Sequence, residues 1–298
     1  MLAECVASLF AQILPDGVGP TLAIVENSQR PDCQRLVAEL SQSAPPAWEV
    51  VYVHEPRLGI PIARNRALDV ALDLGADWIA IIDDDETAAP DWLAKMVEAT
   101  RTHTADVLQG HVEYLYGPDA PDWLPRKTRR TRPSGTQLET AFTNNVWMKA
   151  DVAKSGLRFD EGMQFTGGSD SDFFYRVAEK GWVLCWVNDA VVSEVVCGDR
   201  LSMRWQMQRA MRVAANATAS HVKRKGLTSA LVRHVPRGSR RFLRGSVVGL
   251  AGLVMLPLSR TVGLRTVCRG LCDVWSGIGG VGAFFRMSPK PYVKVDGM

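Results

Sequence analysis

The 298 residues are 46% hydrophobic and 22% charged, a globular composition with room for one large α/β domain and an appendage, and it excludes a disordered chain. The formal net charge of +3 is small, but acidic residues gather before Asp199 and basic ones dominate after Arg200. The six cysteines form no C-x-x-C pair and have no histidine at zinc spacing, which predicts reduced, packed thiols.

The chain opens on Met1 to Gln12, apolar at helical spacing, with no strand before it. The start lacks the charged segment and apolar core of a signal peptide, so a cytoplasmic catalytic part is expected. Thr21 to Val25 reads as a strand ending at Glu26, Asn27 and Ser28. A helix follows over Arg35 to Ser41, then a strand from Trp48 to Val53. Ile62 to Leu74 predicts a helix closed by Gly75. Strands and helices thus alternate to about residue 100, the pattern of a mainly parallel, Rossmann-related sheet flanked by helices.

The next strand carries the chemistry. Trp78-Ile79-Ala80-Ile81-Ile82 is a continuous apolar run, as expected of a strand buried on both faces, and Asp83, Asp84, Asp85 and Glu86 follow it directly. Ligands of open α/β sheets bind outside the carboxyl ends of the strands. Carboxylates crowded there repel one another unless a cation joins them, and Mg²⁺ or Mn²⁺ takes such oxygen ligands while keeping positions for water and phosphate. Asp83-x-Asp85 therefore reads as a metal and diphosphate site. The plainer alternative is an acidic first turn on the helix around Pro90 to Ala99, favoured by the helix dipole.

Val107 to Tyr116 alternates like a strand, and a long polar connection from Gly117 to Gly135 contains the basic run Arg126 to Arg132. That run is either a solvated charge cluster or a phosphate or acidic-substrate contact. Phe142 to Met148 predicts a strand. Gly167 and Gly168 precede Ser169, Asp170, Ser171 and Asp172, which open a helix over Phe173 to Lys180. A carboxylate here either caps the helix or acts as a general base. Trp182 to Val187 predicts a strand, and Arg200 to Ala219 a basic helix.

The tail has an uncharged stretch, Gly245 to Leu258, bracketed by arginines at 237, 240, 241 and 244 and at 260, 265 and 269. A bilayer span needs about 20 apolar residues. The stretch is short for that, so an interfacial or re-entrant helical hairpin on an anionic membrane is expected. The competing reading is a core hairpin or dimer interface.

Taken in order, Val25-Glu26-Asn27-Ser28, Gly59 to Ala67 with its Ala-Arg-Asn element, Trp78 to Glu86 and Gly167 to Phe173 resemble the family 2 inverting glycosyltransferases of GT-A fold. The resemblance covers roughly Leu2 to Arg212. Arg200 to Trp205 and the loop around Asp122 and Trp123 are similar to the branch that builds bacterial surface polysaccharides of succinoglycan type. The resemblance implies that Asp83 and Asp85 hold Mg²⁺ or Mn²⁺ against the diphosphate of a nucleotide-sugar donor. It implies donor contacts for Asn27, Ser28, Arg64, Asp83, Asp84, Arg204 and Trp205. Asp170 falls on the catalytic aspartate that deprotonates the acceptor hydroxyl, with Asp172 as the other candidate.

Leu201 stands where processive members have Gln before their Arg-Trp pair, so addition of a single sugar is expected. The acceptor expected is lipid-linked or polysaccharide, at the cytoplasmic face of the plasma membrane, with a membrane surface as partner and no nucleic acid. Residues 1–220 are expected to form the catalytic domain, lacking the family's first strand, and 221–298 a basic, apolar helical appendage that associates with membrane. Two other classes stay open. One is a nucleotidyltransferase, which should carry a Gly-rich phosphate loop near its first strand; none is visible. The other is a degenerate, truncated glycosyltransferase kept as a membrane-associated partner.

Overall fold

A computed structural model describes residues 1–126, 132–164 and 167–285. Most of the basic run Arg126 to Arg132 lies outside the described residues. Two compact units emerge: one takes in Met1–Leu115, 132–164 and Ser169–Val195, the other 116–126, 167–168 and 196–285.

The first unit runs α1 (Leu2–Phe10), β1 (Thr21–Glu26), α2 (Gln34–Gln42), β2 (Glu49–His54), α3 (Ile60–Asp73), β3 (Trp78–Ile81), β4 (Glu86–Ala88) and α4 (Trp92–Thr102). It continues with β5 (Val107–Tyr116), β6 (Gln137–Leu138), β7 (Val146–Lys149), α5 (Ala150–Lys154), α6 (Ser169–Glu179) and β8 (Leu184–Val196). β1 and β2 pair in parallel, with Thr21 opposite Glu49 and Glu26 opposite His54. The other strands form a six-stranded sheet in the order β3-β7-β5-β8-β4, with β6 beside β8.

That sheet is mixed, where a mainly parallel one was expected. β7 runs antiparallel to both β3 and β5, and β8 antiparallel to both β4 and β6. The cause is the connection: the chain reaches β7 after a long excursion instead of a helical crossover, so nothing forces a parallel return. β7 is also shorter than the sequence predicts. Asn145 has φ +75°, outside the extended region, so the strand cannot begin before Val146.

Alternation along the strands separates two apolar layers. Val107, Val146, Met148 and Leu184 pack with Leu68, Phe159, Phe173 and Phe174. Their neighbours Leu108, Trp147 and Cys185 pack instead with Trp92, Met96, Cys5 and Leu9. Successive strand residues face opposite ways, so both faces of the sheet are covered, as an α/β layer structure demands. α1 is tied to the second layer through Gln12, whose Nε2 donates to Ala89 O (2.8 Å) while its Oε1 accepts from Leu93 N (2.9 Å).

The second unit is built from α7 (Met203–Lys225), α8 (Leu227–Met255) and α9 (Arg260–Gly282). α7 groups with these later helices. Gly226, with φ +84°, separates α7 from α8. α8 and α9 form an antiparallel hairpin keyed by glycines seven residues apart on each helix, Gly238, Gly245 and Gly252 against Gly277, Gly270 and Gly263. A Cβ on Gly245 would sit 2.6 Å from Gly270 O, and one on Gly277 2.6 Å from Gly238 O. Only glycine allows backbones that close, the packing mode of small-residue helix interfaces. No helix among the described residues is long and apolar enough to cross a membrane.

Candidate active site

β3 delivers Asp83 to its carboxyl end, and Asp83, Asp84 and Asp85 form a turn joining β3 to β4, which begins at Glu86. They are thus not the first turn of a helix, since α4 starts six residues later at Trp92. The turn is closed twice: Glu86 N donates to Asp83 O (3.2 Å), and the Glu86 carboxylate accepts from Asp83 N (3.2 Å). Glu86 is buried, with one carboxylate oxygen lacking a hydrogen-bond partner. Burial, together with Asp83, Glu194 and Asp85, pushes its carboxyl up to about 9. Glu86 is therefore neutral at pH 7 and braces the turn, while Asp84 is exposed and Asp85 half-buried.

Asp83 is pushed up to about 6 by enclosure, against the pull of Arg64 and with Asp85, Asp170 and Asp84 adding to the rise. Its side chain keeps 44% of its accessible surface, so like-charge crowding is the part of that rise the geometry supports. Cys5 of α1 lies behind the turn, its Sγ 3.7 Å from Asp83 O, and burial beside the four carboxylates pushes its thiol up to about 12. That thiol stays protonated.

Arg64 joins this turn to the start of α6. Its guanidinium lies 4.0 Å from the Asp83 carboxylate, donates to Ser169 Oγ at 3.4 Å and sits over the Phe159 ring. α3 holds it there because Pro61 opens the helix and the next residue, Asn65, pairs with the Phe159 main chain through both amide atoms (3.0 and 2.8 Å). Phe159 in turn stacks on Phe173 of α6 at 4.1 Å. Asp170 therefore comes close enough to act electrostatically on Asp83, although the two are 87 positions apart.

The two aspartates of α6 differ. Asp172 is 1% exposed and paired with Arg176 at 2.8 Å, and Arg176 also donates to Arg158 O (2.8 Å). Asp170 is half-buried, and its carboxylate accepts from Ser171 N at 2.7 Å. The helix starts at Ser169, so both aspartates lie in its first turn, a turn earlier than the sequence predicts.

At the end of β1, Asn27 is taken up by main chain. Its amide donates to Glu55 O (2.9 Å) and Arg57 O (2.7 Å), and its carbonyl accepts from Gly59 N (2.8 Å). It fixes the approach to α3. The Ser28 hydroxyl is shared between Glu26 and Arg30 O. Sequence reasoning passed over Glu26, which organises this loop: it accepts from Tyr52 Oη (2.6 Å), Ser28 Oγ (2.8 Å), Asp32 N (2.9 Å) and Cys33 N. A carboxylate closing an apolar strand was the available signal. Phe159 was also missed, and Asn65, quoted in the Ala-Arg-Asn element, was given no role, because the partners of both are remote in sequence.

Arg204 and Trp205 belong to the second unit. Both lie in the first turn of α7, which Ser202 caps by accepting from Trp205 N (3.2 Å), and Arg209 lies over the Trp205 ring.

No group of three or more His, Cys, Asp or Glu side chains among the described residues is arranged to hold a metal ion. Two hard carboxylates, Asp83 and Asp85, with the crowding that raises Asp83, still fit a divalent ion that takes its other oxygens from water and phosphate.

The architecture recurs in solved structures. Over 99% of this chain and 90% of the other, it superposes on S. aureus TarS residues 1–349 in complex with UDP, with a TM-score of 0.51 at 13% identity. A second S. aureus TarS structure gives a TM-score of 0.50 over 90% of this chain and 52% of that one, at 13% identity. At this identity the likeness establishes the fold, which is GT-A-like. Sequence defines the class further. The family model for glycosyl transferase family 2 matches residues 1–160. The succinoglycan biosynthesis protein ExoM of Rhizobium meliloti (strain 1021) is 34% identical over 215 residues, 71% of this chain and 68% of that protein. The chain belongs to glycosyl transferase family 2, and it is a glycosyltransferase.

Proposed function

We propose that this enzyme adds one sugar, with inversion, from a nucleotide-diphosphate sugar to a lipid-linked or polysaccharide acceptor in bacterial surface polysaccharide synthesis. The observation that carries this reading is the bridge made by Arg64, which contacts Asp83 at 4.0 Å and Ser169 at 3.4 Å and so puts the acidic turn and the start of α6 in one neighbourhood. Two further facts support it: UDP is bound in the TarS structure of like fold, and the ExoM relative is named for succinoglycan biosynthesis.

In this reading Asp83 and Asp85 hold Mg²⁺ or Mn²⁺, which when bound neutralises charge on the leaving diphosphate. Asp170 is the base. It accepts the proton of the acceptor hydroxyl as that oxygen attacks the anomeric carbon, and the bond from that carbon to the diphosphate breaks on the opposite face. Asp172 is set aside for this role because its pairing with Arg176 leaves it holding α6 together. Arg64 steadies negative charge between the two turns, and Asp84, Asn27 and Ser28 border the donor, Asn27 by shaping the loop. Arg204 and Trp205 are assigned to the donor on the family resemblance alone. Because Leu201 replaces the glutamine of processive enzymes, transfer stops after one sugar. The site of action is the cytoplasmic face of the plasma membrane.

The test is release of nucleoside diphosphate from a panel of nucleotide sugars with Mn²⁺ present. Asp85→Ala is expected to abolish release without unfolding the chain, and undiminished release would remove Asp85 from the metal site.

A further inference from the structure

The acidic half of the chain and the helical unit differ sharply in charge. Between Met203 and Phe285 there are 14 lysines and arginines and a single carboxylate, Asp273. Much of that charge is laid along α8 in a pattern that also sorts its apolar residues. At 100° per residue, Gly238, Gly245 and Gly252 fall on one side and pack against α9. Leu243, Val247, Leu250 and Val254 recur at intervals of four, three and four residues on another side, and each is between 63% and 75% exposed. Val232 continues the same line toward the helix start and is 73% exposed. Arg233, Arg237, Arg240 and Arg244 follow along one flank of this line, all exposed.

An apolar line of that length on a soluble surface carries a cost in water, and its position is not accidental to the packing. The glycine register fixes α8 against α9 in one rotation, which leaves the leucine and valine line pointing away from the hairpin. We propose that this face of α8 is a docking surface for an anionic lipid bilayer. The helix lies in the interface plane, with Leu243, Val247, Leu250 and Val254 inserted among acyl chains. Arg233, Arg237 and Arg240 contact the lipid phosphates, while Arg244 is paired with Asp273 of α9 at 3.2 Å.

Two facts select a bilayer over other occupants. The charge flanking the line is of one sign, complementary to an anionic leaflet, whereas a second copy of this chain would bring the same arginines against these. An exposed apolar face of this kind suits shallow insertion, and no helix among the described residues is long and apolar enough to span. The proposal rests on the membrane location proposed above and adds to it the contact face and the lipid class.

Binding of the full chain to vesicles, measured by sedimentation without any nucleotide sugar, tests the surface separately from catalysis. Vesicles of phosphatidylcholine with phosphatidylglycerol should retain the chain, and phosphatidylcholine alone should bind it at least about tenfold more weakly. Leu243→Glu with Leu250→Glu should abolish retention. Arg233→Gln, Arg237→Gln and Arg240→Gln together should weaken it by about tenfold or more while raising no affinity for neutral vesicles. Helical circular dichroism equal to that of the parent shows that the variants fold. Retention that survives the leucine variant, or equal retention on neutral vesicles, overturns the proposal. So does self-association in lipid-free solution that the leucine variant abolishes, which would make this face a contact between copies. A chain that binds vesicles as expected but releases no nucleoside diphosphate from any donor leaves this surface standing and rejects the proposed catalysis instead.

Discussion

Asp170 and Asp172 sit two residues apart on α6, yet their surroundings divide their work. Asp172 is enclosed with Arg176, whereas Asp170 lies on the side where it influences Asp83. Asp170→Asn is expected to lower turnover by about 10²- to 10⁴-fold, the usual contribution of a general base, with donor affinity unchanged by calorimetry. Asp172→Asn is expected to act on stability instead, costing up to about 3 kcal/mol in urea unfolding because it leaves a partly buried guanidinium without its partner. Local sequence did not separate these two residues, because a D-x-D spacing carries no information about Arg176 or Phe159; only the family resemblance favoured Asp170. Glu26 gives a second prediction at this scale. Burial pushes its carboxyl up, but hydrogen bonds from Tyr52, Ser28, Cys33 and Asp32 outweigh it and hold the group below its ordinary value. A carboxylate lowered in the folded state adds stability that is fully present above the ordinary carboxylate range and is lost as pH falls through that range. Glu26→Gln should therefore lose stability at neutral pH, and its gap to the parent should narrow in acid, as read from urea midpoints at the two pH values.

Among the elements, the apolar run of β3 and its acidic turn were legible as a strand and its end, but the expected burial on both faces was not met: β3 stands last in its sheet, with Ile79 buried and Ala80 exposed. The helices α1 and α3 were legible from spacing and from Gly75, whose φ of +71° ends α3 as expected. The strand before Lys149 was overextended, since the left-handed backbone at Asn145 depends on what surrounds it. Asn145 donates to His111 O and Ala190 O and accepts from Trp92, tying β5, β8 and α4 to one buried amide. The glycine register of α8 and α9 was present in the sequence as two sets at a spacing of seven, but reads as loose composition until the helices are known to be antiparallel. Gly270→Val is expected to disrupt this hairpin. Its Cβ would overlap the main chain of Gly245 and Gly249, with a loss of about 1–3 kcal/mol or separation of the helices, visible as a lower melting transition and faster proteolysis within 227–282.

At the scale of the whole molecule, carboxylates outnumber basic residues in one unit and basic residues outnumber carboxylates in the other. The family and its fold were legible because several motifs occur in a fixed order, each weak alone. The mixed character of the sheet was not, since alternating strands and helices describe the first hundred residues and say little about how β7 returns. Everything proposed for catalysis depends on the acidic turn after β3 and the start of α6 serving one donor. The most direct measurement is the anomalous difference density of Mn²⁺ in crystals of this chain soaked with a nucleotide sugar that it turns over. The account predicts a peak between the Asp83 and Asp85 carboxylates, with the anomeric carbon of the donor facing Asp170. A peak elsewhere, or a donor whose anomeric carbon lies out of reach of Asp170, contradicts it.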